Sequence, residues 1–342
     1  MTTPVLTLED VHKSYKVADR SSRTLRKSFV RAVDGVSLDV LPAEIVALVG
    51  ESGCGKSSLA RLALALTTPD AGTVRFEGQD IGELSRTALR RQFRSQVQAV
   101  FQDPAGSLNP RRTVGEIVAG PLLLHGKASR QSVTQRVREL LEAQGLTPAP
   151  VFESRRPGQL SGGQQQRVAI ARALGVEPKV IIADEPVSAL DVSVRAQVLE
   201  KLKRAQETQG VACLLITHDM GVVRAIADRV AVMYLGRVVE FGPTDRVMSG
   251  PRHPYTRMLL DAVPRVTPTA TGRLRSAPVG EPPNAAQVPT GCRFRSRCAL
   301  AQDWCADLDP GLTRLVDGRA VACPVVADGQ LPLLRGSGAG GP

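Results

Sequence analysis

The chain has 342 residues, enough to bury a full hydrophobic core and to contain more than one structural unit. Its formal net charge of +11 is compatible with a nucleic-acid partner, because basic residues supply phosphate affinity. However, the arginines are dispersed and aromatic residues make up only 3% of the chain, so base-stacking platforms are lacking and we expect no nucleic-acid partner.

The sequence also carries no sign of a segment that enters a membrane. The N-terminus MTTPVLTLED lacks a charged and apolar signal segment, and no stretch of about 18 uncharged apolar residues occurs. We therefore expect a cytoplasmic protein that reaches the membrane only through partners.

A glycine-rich loop lies in the stretch EIVALVGESGCGKSSLARLALAL. The apolar run Ile45–Val49 predicts a strand, and the periodic segment from about Lys56 predicts a helix. Glycines between them let backbone N–H groups approach phosphate oxygens at a helix N-terminus. In such a loop Lys56 reaches the β- and γ-phosphates and the Ser57 hydroxyl binds Mg²⁺. The alternative is a chance match, which the flanking strand and helix disfavour. The predicted residues for ATP and Mg²⁺ are Gly50, Glu51, Ser52, Gly53, Cys54, Gly55, Lys56, Ser57 and Ser58.

The pentapeptide LSGGQ, residues 160–164, precedes the predicted helix QQQRVAIARAL. Ser161 is a favourable helix N-cap, so an ordinary capped helix explains part of this motif. The pair Gly162 and Gly163 needs a further explanation, because it places backbone N–H groups at a helix N-terminus where an anion can approach.

The segment VIIADEP, residues 180–186, predicts a buried strand that ends in two acids. Asp184 is placed to hold the Mg²⁺ shell, and Glu185 to polarise the water that attacks the γ-phosphate. Two acids at a strand end are often only solubilising, but the phosphate loop in the same chain argues against that here. Glu185 and Lys56 are therefore predicted catalytic residues.

The order of these motifs resembles the ABC ATPase family, since LSGGQ is followed by QQRVAIARAL and, after the next strand, by DEPVSALD. The resemblance implies an α/β fold with a RecA-like P-loop core, an antiparallel β subdomain and an inserted α-helical subdomain. It also implies a head-to-tail dimer, in which the signature of one subunit closes on ATP held by another. The residues that would act in trans are Ser161, Gly162, Gly163 and Gln164.

Four further positions match functional positions of the family. Gln102 of AVFQDP would contact Mg²⁺ and the attacking water, and His218 of CLLITHD would contact the γ-phosphate as a third catalytic residue. Asp191 of SALD would bridge the two subunits, and Tyr15 of HKSYKV would stack on adenine. Outside this context His218 is an ordinary strand terminator and Tyr15 a core residue.

Motif order predicts the domain organisation. Residues 1–102 form the first part of the nucleotide-binding core, residues 103–160 a helical subdomain that contacts the membrane subunit, and residues 161–250 the second part of the core. The core closes with a strand pair, RVAVMYLGRVVEFG, that turns near Gly236. Residues 251–330 form an extension with four cysteines, and residues 331–342 a disordered tail. The sequence has one phosphate loop and one signature, so this single cassette needs a partner chain.

The segments SLNPRRTVGEI, HPYTRMLL and CRFRSRC resemble ATP-binding subunits of oligopeptide/dipeptide permeases, a group that includes nickel importers. The basic segment KVADRSSRTLRKSFVRA resembles an insertion of their F-type subunit. The resemblance implies peptide import, with nickel or another small solute as the alternative, at the cytoplasmic face of the membrane. The implied partners are a second ATPase subunit (a sister chain or a copy), two transmembrane permease subunits and, indirectly, an extracytoplasmic solute-binding protein.

Two other functions remain alternatives. A non-transport ABC protein usually carries two cassettes or a long coiled-coil insertion, and neither is visible in the sequence. A purely regulatory subunit is disfavoured because Glu185 and His218 are intact.

The chain has six cysteines. Cys54 and Cys213 fit the pattern of small buried residues. The other four lie in the C-terminal extension, where four thiolates suit a tetrahedral S₄ site. Their spacing is wider than that of zinc knuckles, which favours an iron–sulfur cluster, and some permease subunits with this tail carry a [4Fe–4S] cluster. Zinc and free thiols remain alternatives, and a structural role is favoured over a redox role. These four residues are Cys292, Cys298, Cys305 and Cys323.

Overall fold

The structure is a computed structural model that describes residues 2–18, 27–188, 190–262, 283 and 288–327. Several sequence predictions concern residues outside these ranges. They include the tail 331–342, the middle of the basic segment after Tyr15 and most of the proline-rich connector that precedes the cysteines.

The described residues form strands that assemble into two sheets. In chain order, the strands are β1 (Leu6–Ala18), β2 (Lys27–Val40), β3 (Ile45–Val49), β4 (Ala71–Phe76), β5 (Gln79–Asp80), β6 (Val97–Val100), β7 (Val180–Asp184), β8 (Ala212–Thr217), β9 (Arg229–Tyr234), β10 (Arg237–Pro243), β11 (Thr313–Arg314) and β12 (Ala320–Val321).

Helices occupy a little under half of the remaining described residues. They are α1 (Lys56–Ala63), α2 (Arg86–Ala88), α3 (Pro104–Ser107), α4 (Val114–Leu124), α5 (Val133–Ala143), α6 (Ala149–Glu153), α7 (Gly162–Gly175), α8 (Val192–Gln209), α9 (Met220–Ile226), α10 (Thr244–Ser249), α11 (Pro254–Asp261) and α12 (Pro324–Ala327). None of the helices in the described part of the chain is both long and apolar enough to cross a bilayer.

The larger sheet has the strand order β11-β12-β10-β9-β3-β8-β7-β6 and is parallel from β9 to β6. Every residue of β3 and β8 is buried, as expected for parallel strands covered on both faces. Because parallel strands share a direction, the carboxyl ends of β3, β7 and β8 lie along one edge. Phosphate-loop, acidic and histidine motifs follow those three ends.

The smaller sheet is antiparallel, with the order β2-β1-β4-β5. Its apolar face, represented by Leu6 and Leu8, packs in one cluster with Leu59 and Leu62 of α1. This is the antiparallel β subdomain that the family resemblance implies. Its packing on α1 ties the sheet to the helix that begins at the phosphate loop.

The inserted α-helical subdomain is built from α4, α5 and α6 around a separate apolar cluster that includes Val118, Leu122 and Leu141. Helix α4 starts at Thr113, whose side chain and that of Glu116 form a reciprocal capping box. Helix α7 joins both parts of the molecule, because one side of it belongs to this cluster while Ile170 and its neighbours pack on the larger sheet. The signature at the start of α7 is therefore fixed between the two.

The C-terminal extension continues the larger sheet. Strand β12 pairs antiparallel with β10, where Val321 lies opposite Glu240, and β11 pairs with β12. The rings of Tyr234, Tyr255 and Phe294 contact one another at the same place. The sequence predicts the extension but not its insertion into the sheet.

Candidate active site

The phosphate loop joins the end of β3 to the start of α1, as predicted. The Lys56 side chain is buried, and its Nζ donates hydrogen bonds to the carbonyl oxygens of Gly50 at 2.7 Å and Glu51 at 3.0 Å. The loop thus curls around the Lys56 ammonium. Ser52 and Gly53, at its tip, are exposed.

Two glycines of the loop lie too close to neighbouring backbone to carry a side chain. A Cβ on Gly50 would lie 2.2 Å from the Met233 carbonyl oxygen, and one on Gly55 would lie 1.9 Å from the Ala32 carbonyl oxygen. Gly55 also has a φ of 112°, which L side chains rarely adopt. The glycine spacing of the loop is therefore required by its contacts with β9 and β2.

The two acids stand at the end of β7, on the same edge as the phosphate loop. The Ser57 hydroxyl lies near enough to the Asp184 carboxylate to influence its pKa, so two of the predicted Mg²⁺ ligands are neighbours. Burial raises the pKa of Asp184, and the neighbouring Ser57 hydroxyl opposes that rise. Mg²⁺ prefers oxygen ligands such as carboxylates and hydroxyls, so Ser57 and Asp184 fit the predicted ion.

Glu185 and His218 form a pair across the ends of β7 and β8. The Glu185 Oε1 lies 3.2 Å from His218 Nδ1, and the Glu185 side chain is mostly buried while that of His218 is exposed. Glu185 also has a φ of 46°, a left-handed conformation that costs a non-glycine residue about 1–3 kcal/mol. Backbone strain of this kind is often found at functional sites, although six other non-glycine residues of the described chain share it.

The signature residues cap their own helix. Ser161 Oγ accepts a hydrogen bond from the Gln164 backbone N–H, and Gln164 Oε1 accepts one from the Ser161 N–H. A Cβ on Gly162 would meet no atom within 4 Å, whereas one on Gly163 would lie 2.8 Å from a Val194 methyl. Packing within the chain thus explains Gly163 but not Gly162.

The structure does not bring the signature onto the phosphate loop of the same chain. Between the two motifs, both of which lie in the described residues, no hydrogen bond forms. Asp191 caps α8 by accepting from the Val194 N–H at 3.0 Å, which places it next to Gly163. The signature and Asp191 are therefore neighbours.

Gln102 and Tyr15 occupy two other parts of the molecule. Gln102 is exposed in the loop after β6, and the adjacent Phe101 carbonyl oxygen accepts a hydrogen bond from Gln166 of α7 at 3.5 Å. Tyr15 pairs with Val30 on the β1–β2 ribbon, and its buried hydroxyl has no hydrogen-bond partner among the described residues. The same ribbon reaches the phosphate loop at Gly55.

Sequence analysis missed two residues that contact the phosphate loop. The Tyr255 hydroxyl of α11 accepts a hydrogen bond from the Glu51 N–H, and the Arg297 guanidinium binds the Glu51 carboxylate. The only sequence signal for Arg297 is a basic residue flanked by cysteines in CRFRSRC, which identifies no partner.

The four C-terminal cysteines line one cavity together with apolar residues such as Trp304 and Leu300. All four thiols are free, and burial raises the pKa of Cys292 and Cys298 and, to about 11, that of Cys323. Within the described ranges, no group of three or more His, Cys, Asp or Glu side chains is gathered to hold a metal ion. The iron–sulfur prediction therefore gains no support from a preformed metal site. Cys54 and Cys213 are buried fillers, as predicted.

Comparison with known proteins follows the same division of the chain. Residues 33–188 match the sequence model of a family described as ABC transporter, and residues 239–305 match one described as oligopeptide/dipeptide transporter, C-terminal region. The probable peptide ABC transporter ATP-binding protein y4tS of Sinorhizobium fredii is 46% identical over 327 residues, covering 96% of this chain and 91% of that protein. The chain belongs to the ABC transporter family of ATP-binding proteins.

Other relatives and solved structures agree with this assignment. The di/tripeptide transport ATP-binding protein DppF of Pseudomonas aeruginosa is 44% identical, with 93% of this ABC subunit and 97% of DppF covered. A dimeric post-hydrolysis state of the ATP-binding cassette MJ0796, bound to ADP and Pi, superimposes with a TM-score of 0.62 at 32% identity, covering 70% of this chain and 98% of that one. The fold is the RecA-like ABC ATPase fold, and the protein is an ATPase.

Proposed function

We propose that this ABC ATPase powers the import of oligopeptides or dipeptides across the cytoplasmic membrane. The observation that carries the proposal is the presence, in one chain, of the paired Ser57–Asp184 and Glu185–His218 contacts and of a region that matches the C-terminal region of oligopeptide/dipeptide transporters. Relatives with peptide-transport names, which match the chain over more than nine-tenths of its length, support the same substrate class.

In the proposed ATP site each residue has one task. Lys56 binds the β- and γ-phosphates within the loop Gly50–Ser58, and Tyr15 stacks on adenine. Ser57, Asp184 and Gln102 hold Mg²⁺, which when bound offsets phosphate charge during hydrolysis. Support comes from the proximity of the Ser57 hydroxyl to the Asp184 carboxylate.

Glu185 accepts a proton from the attacking water, and His218 contacts and positions the γ-phosphate. Support comes from their 3.2 Å contact at the edge where the phosphate loop begins. A general base must lie within hydrogen-bond reach of its water, and the position of Glu185 at the end of β7, on the edge where the phosphate loop begins, is consistent with that role.

The signature residues and Asp191 act in trans, at the ATP of a second ATPase subunit. Ser161, Gly162, Gly163 and Gln164 face that nucleotide, and Asp191 bridges the subunits. Support comes from the open space around Gly162 and from the dimeric assembly of the related cassette. We assign a sister chain as the second subunit, two permease subunits as membrane partners and a solute-binding protein as the indirect source of substrate, so that the chain is peripheral at the cytoplasmic face.

Cys292, Cys298, Cys305 and Cys323 hold a [4Fe–4S] cluster with a structural role. Support comes from their common cavity. A single zinc ion suits them less, because their spacing in the sequence is wider and less even than that of zinc knuckles. The test is iron, zinc and sulfide analysis after anaerobic purification. Iron and sulfide near four per chain support the cluster, whereas zinc or no metal removes it.

The transport function is tested with the complete transporter in proteoliposomes. We expect uptake of a labelled dipeptide or oligopeptide that requires ATP and is lost when Glu185→Gln replaces the wild-type subunit. Nickel uptake in place of peptide uptake would support the alternative substrate. ATP hydrolysis without uptake of either solute would contradict the importer function.

A further inference from the structure

One residue of the phosphate loop is held from outside the loop at two points. The Glu51 backbone N–H donates to the Tyr255 hydroxyl at 2.9 Å. The Glu51 carboxylate accepts two hydrogen bonds from Arg297, at 2.8 and 2.9 Å. Tyr255 belongs to α11 and Arg297 to a 3₁₀ turn between two cysteines, so two separate segments of the C-terminal extension grip the same residue.

The contact between Arg297 and Glu51 is shielded from solvent. The Arg297 side chain is 3% exposed and that of Glu51 is 24% exposed. The Arg297 guanidinium lies 6.0 Å from the ring centres of both Tyr234 and Phe294, and these rings pack against Tyr255. Paired hydrogen bonds between a guanidinium and a carboxylate are among the strong polar contacts, and water weakens them little in such surroundings.

The contacts that hold Glu51 are linked to Lys56, the residue proposed to bind the phosphates. Lys56 Nζ donates to the carbonyl oxygen of Glu51, the residue that Arg297 and Tyr255 hold. The carboxylate of Glu51 also brings a negative charge into a loop that must accept negatively charged phosphates. Arg297 offsets this charge.

We propose that Arg297 is a positioning residue of the ATP site, which neutralises Glu51 and, with Tyr255, fixes the loop around Lys56 in the form that binds nucleotide. The C-terminal extension is thereby a part of the ATP-binding machinery. This inference rests on the proposed role of the phosphate loop and adds to it the residues that make the loop competent.

The test measures the dissociation constant for ATP on the purified, anaerobically handled full-length chain. Arg297→Ala should weaken ATP binding roughly tenfold, because it leaves the Glu51 carboxylate unpaired beside the phosphates. The matched control is Arg295→Ala, on the same 3₁₀ turn, whose guanidinium hydrogen-bonds Thr290 and Ala306 inside the extension and not Glu51. This control should change affinity by less than about twofold.

A double variant separates charge neutralisation from simple loss of structure. If Arg297 acts by offsetting Glu51, then Arg297→Ala combined with Glu51→Gln should bind ATP more tightly than Arg297→Ala alone. A merely structural role predicts that the second substitution adds a further loss. The affinity for adenosine, which has no phosphates, should be the same in all these variants.

Outcomes for the two proposals are distinct. A folded Arg297→Ala variant with wild-type ATP affinity, or a double variant that is weaker than the single one, would overturn the role of Arg297. If Arg297→Ala does not fold, Arg297→Gln decides: it removes the charge and keeps an amide donor, and an affinity equal to that of wild type would again overturn it. Wild-type ATP binding by Lys56→Ala would instead overturn the proposed phosphate loop itself.

Discussion

At the scale of single residues, Glu185 combines a left-handed backbone with a carboxylate directed at His218. Its strain is maintained because the Glu185 N–H donates to the Ile216 carbonyl oxygen of β8, which ties the residue to the neighbouring strand. The same bond sets the carboxylate at the sheet edge where the proposed water attacks.

Replacing Glu185 by Gln should abolish turnover while leaving ATP binding intact. Glutamine keeps the size and the hydrogen-bonding oxygen but does not accept the proton, and loss of a general base costs about 10²–10⁴-fold in rate. Steady-state phosphate release and size-exclusion chromatography with ATP provide the measurement, with an ATP-stabilised dimer expected. A variant that retains most of its turnover would contradict the assignment.

Lys56→Ala should remove at least about 90% of the ATP affinity, since the only buried ammonium described in the loop is lost. Nucleotide binding is measured by titration calorimetry. Lys127→Ala is the control, because Lys127 carries the same charge but pairs with Glu177 on the surface, away from the site. Equal affinities of the two variants would argue against a phosphate-binding role for Lys56.

At the scale of elements, helix α7 carries a glycine that its own fold does not require. Gly162→Ala should leave the protein as stable as wild type or stabilise it by up to about 1 kcal/mol, because alanine fits the open space and favours the helix. ATPase activity should nevertheless fall, since a methyl group enters the proposed contact with the partner's nucleotide. Melting curves and ATPase assays measure the two effects, and a stable variant with full activity would contradict the trans contact.

Helix α11 begins with a buried histidine that accepts a hydrogen bond from the Tyr255 N–H. Burial lowers the pKa of His253 to about 3, so its folded-state pKa lies below its unfolded value. Such a group favours the unfolded state as pH falls from about 6.5 toward 3, at about 1.4 kcal/mol per pH unit, and has no effect above that window.

The pH prediction is tested by comparing wild type with His253→Asn, which keeps an accepting oxygen but does not titrate. Between pH 7 and pH 5 the free energy of unfolding of wild type should fall more steeply than that of the variant. The neighbouring Glu240 has a pKa raised by burial, which acts in the opposite direction but is common to both proteins. Parallel pH profiles from urea denaturation would contradict the prediction.

At the scale of the whole molecule, strand β12 makes the C-terminal extension a part of the ATPase sheet. Val321 is fully buried opposite Glu240, so Val321→Asp should destabilise the folded protein by about 3 kcal/mol or more through an unpaired buried carboxylate. Val316→Asp is the control at a fully exposed position, with an expected change within about 0.5 kcal/mol. Urea denaturation measures both, and equal stability of the two variants would show that the extension folds apart from the core.

Local signals were sufficient for much of the site. The strand Ile45–Val49 and the helix from Lys56 are confirmed, because apolar periodicity and glycine spacing are properties of short segments. The strand pair that turns at Gly236 is confirmed for the same reason. The contact between Glu185 and His218 follows once both strands are assigned to one parallel sheet.

Contacts between distant segments could not be predicted in this way. Strand β12 has only two residues, Ala320 and Val321, and their sequence does not indicate that the strand pairs with β10. Arg297 lies 246 residues from Glu51 in sequence. Because the chain has many basic residues, the sequence does not indicate which acidic residue Arg297 pairs with. Cysteine spacing predicted that four thiols belong together, and the structure places them around one cavity without gathering them on one ion.

Glu51 is far in sequence from its partners Tyr255 and Arg297, and this separation has a consequence during synthesis of the chain. The phosphate loop leaves the ribosome early, whereas Tyr255 and Arg297 follow 204 and 246 residues later. Until then the nascent chain carries Glu51 without its partners and β10 without β12 at its side. If Arg297 has the proposed role, the ATP site is complete only near the end of translation. Unfinished chains would then not bind ATP in the form needed to associate with a partner subunit.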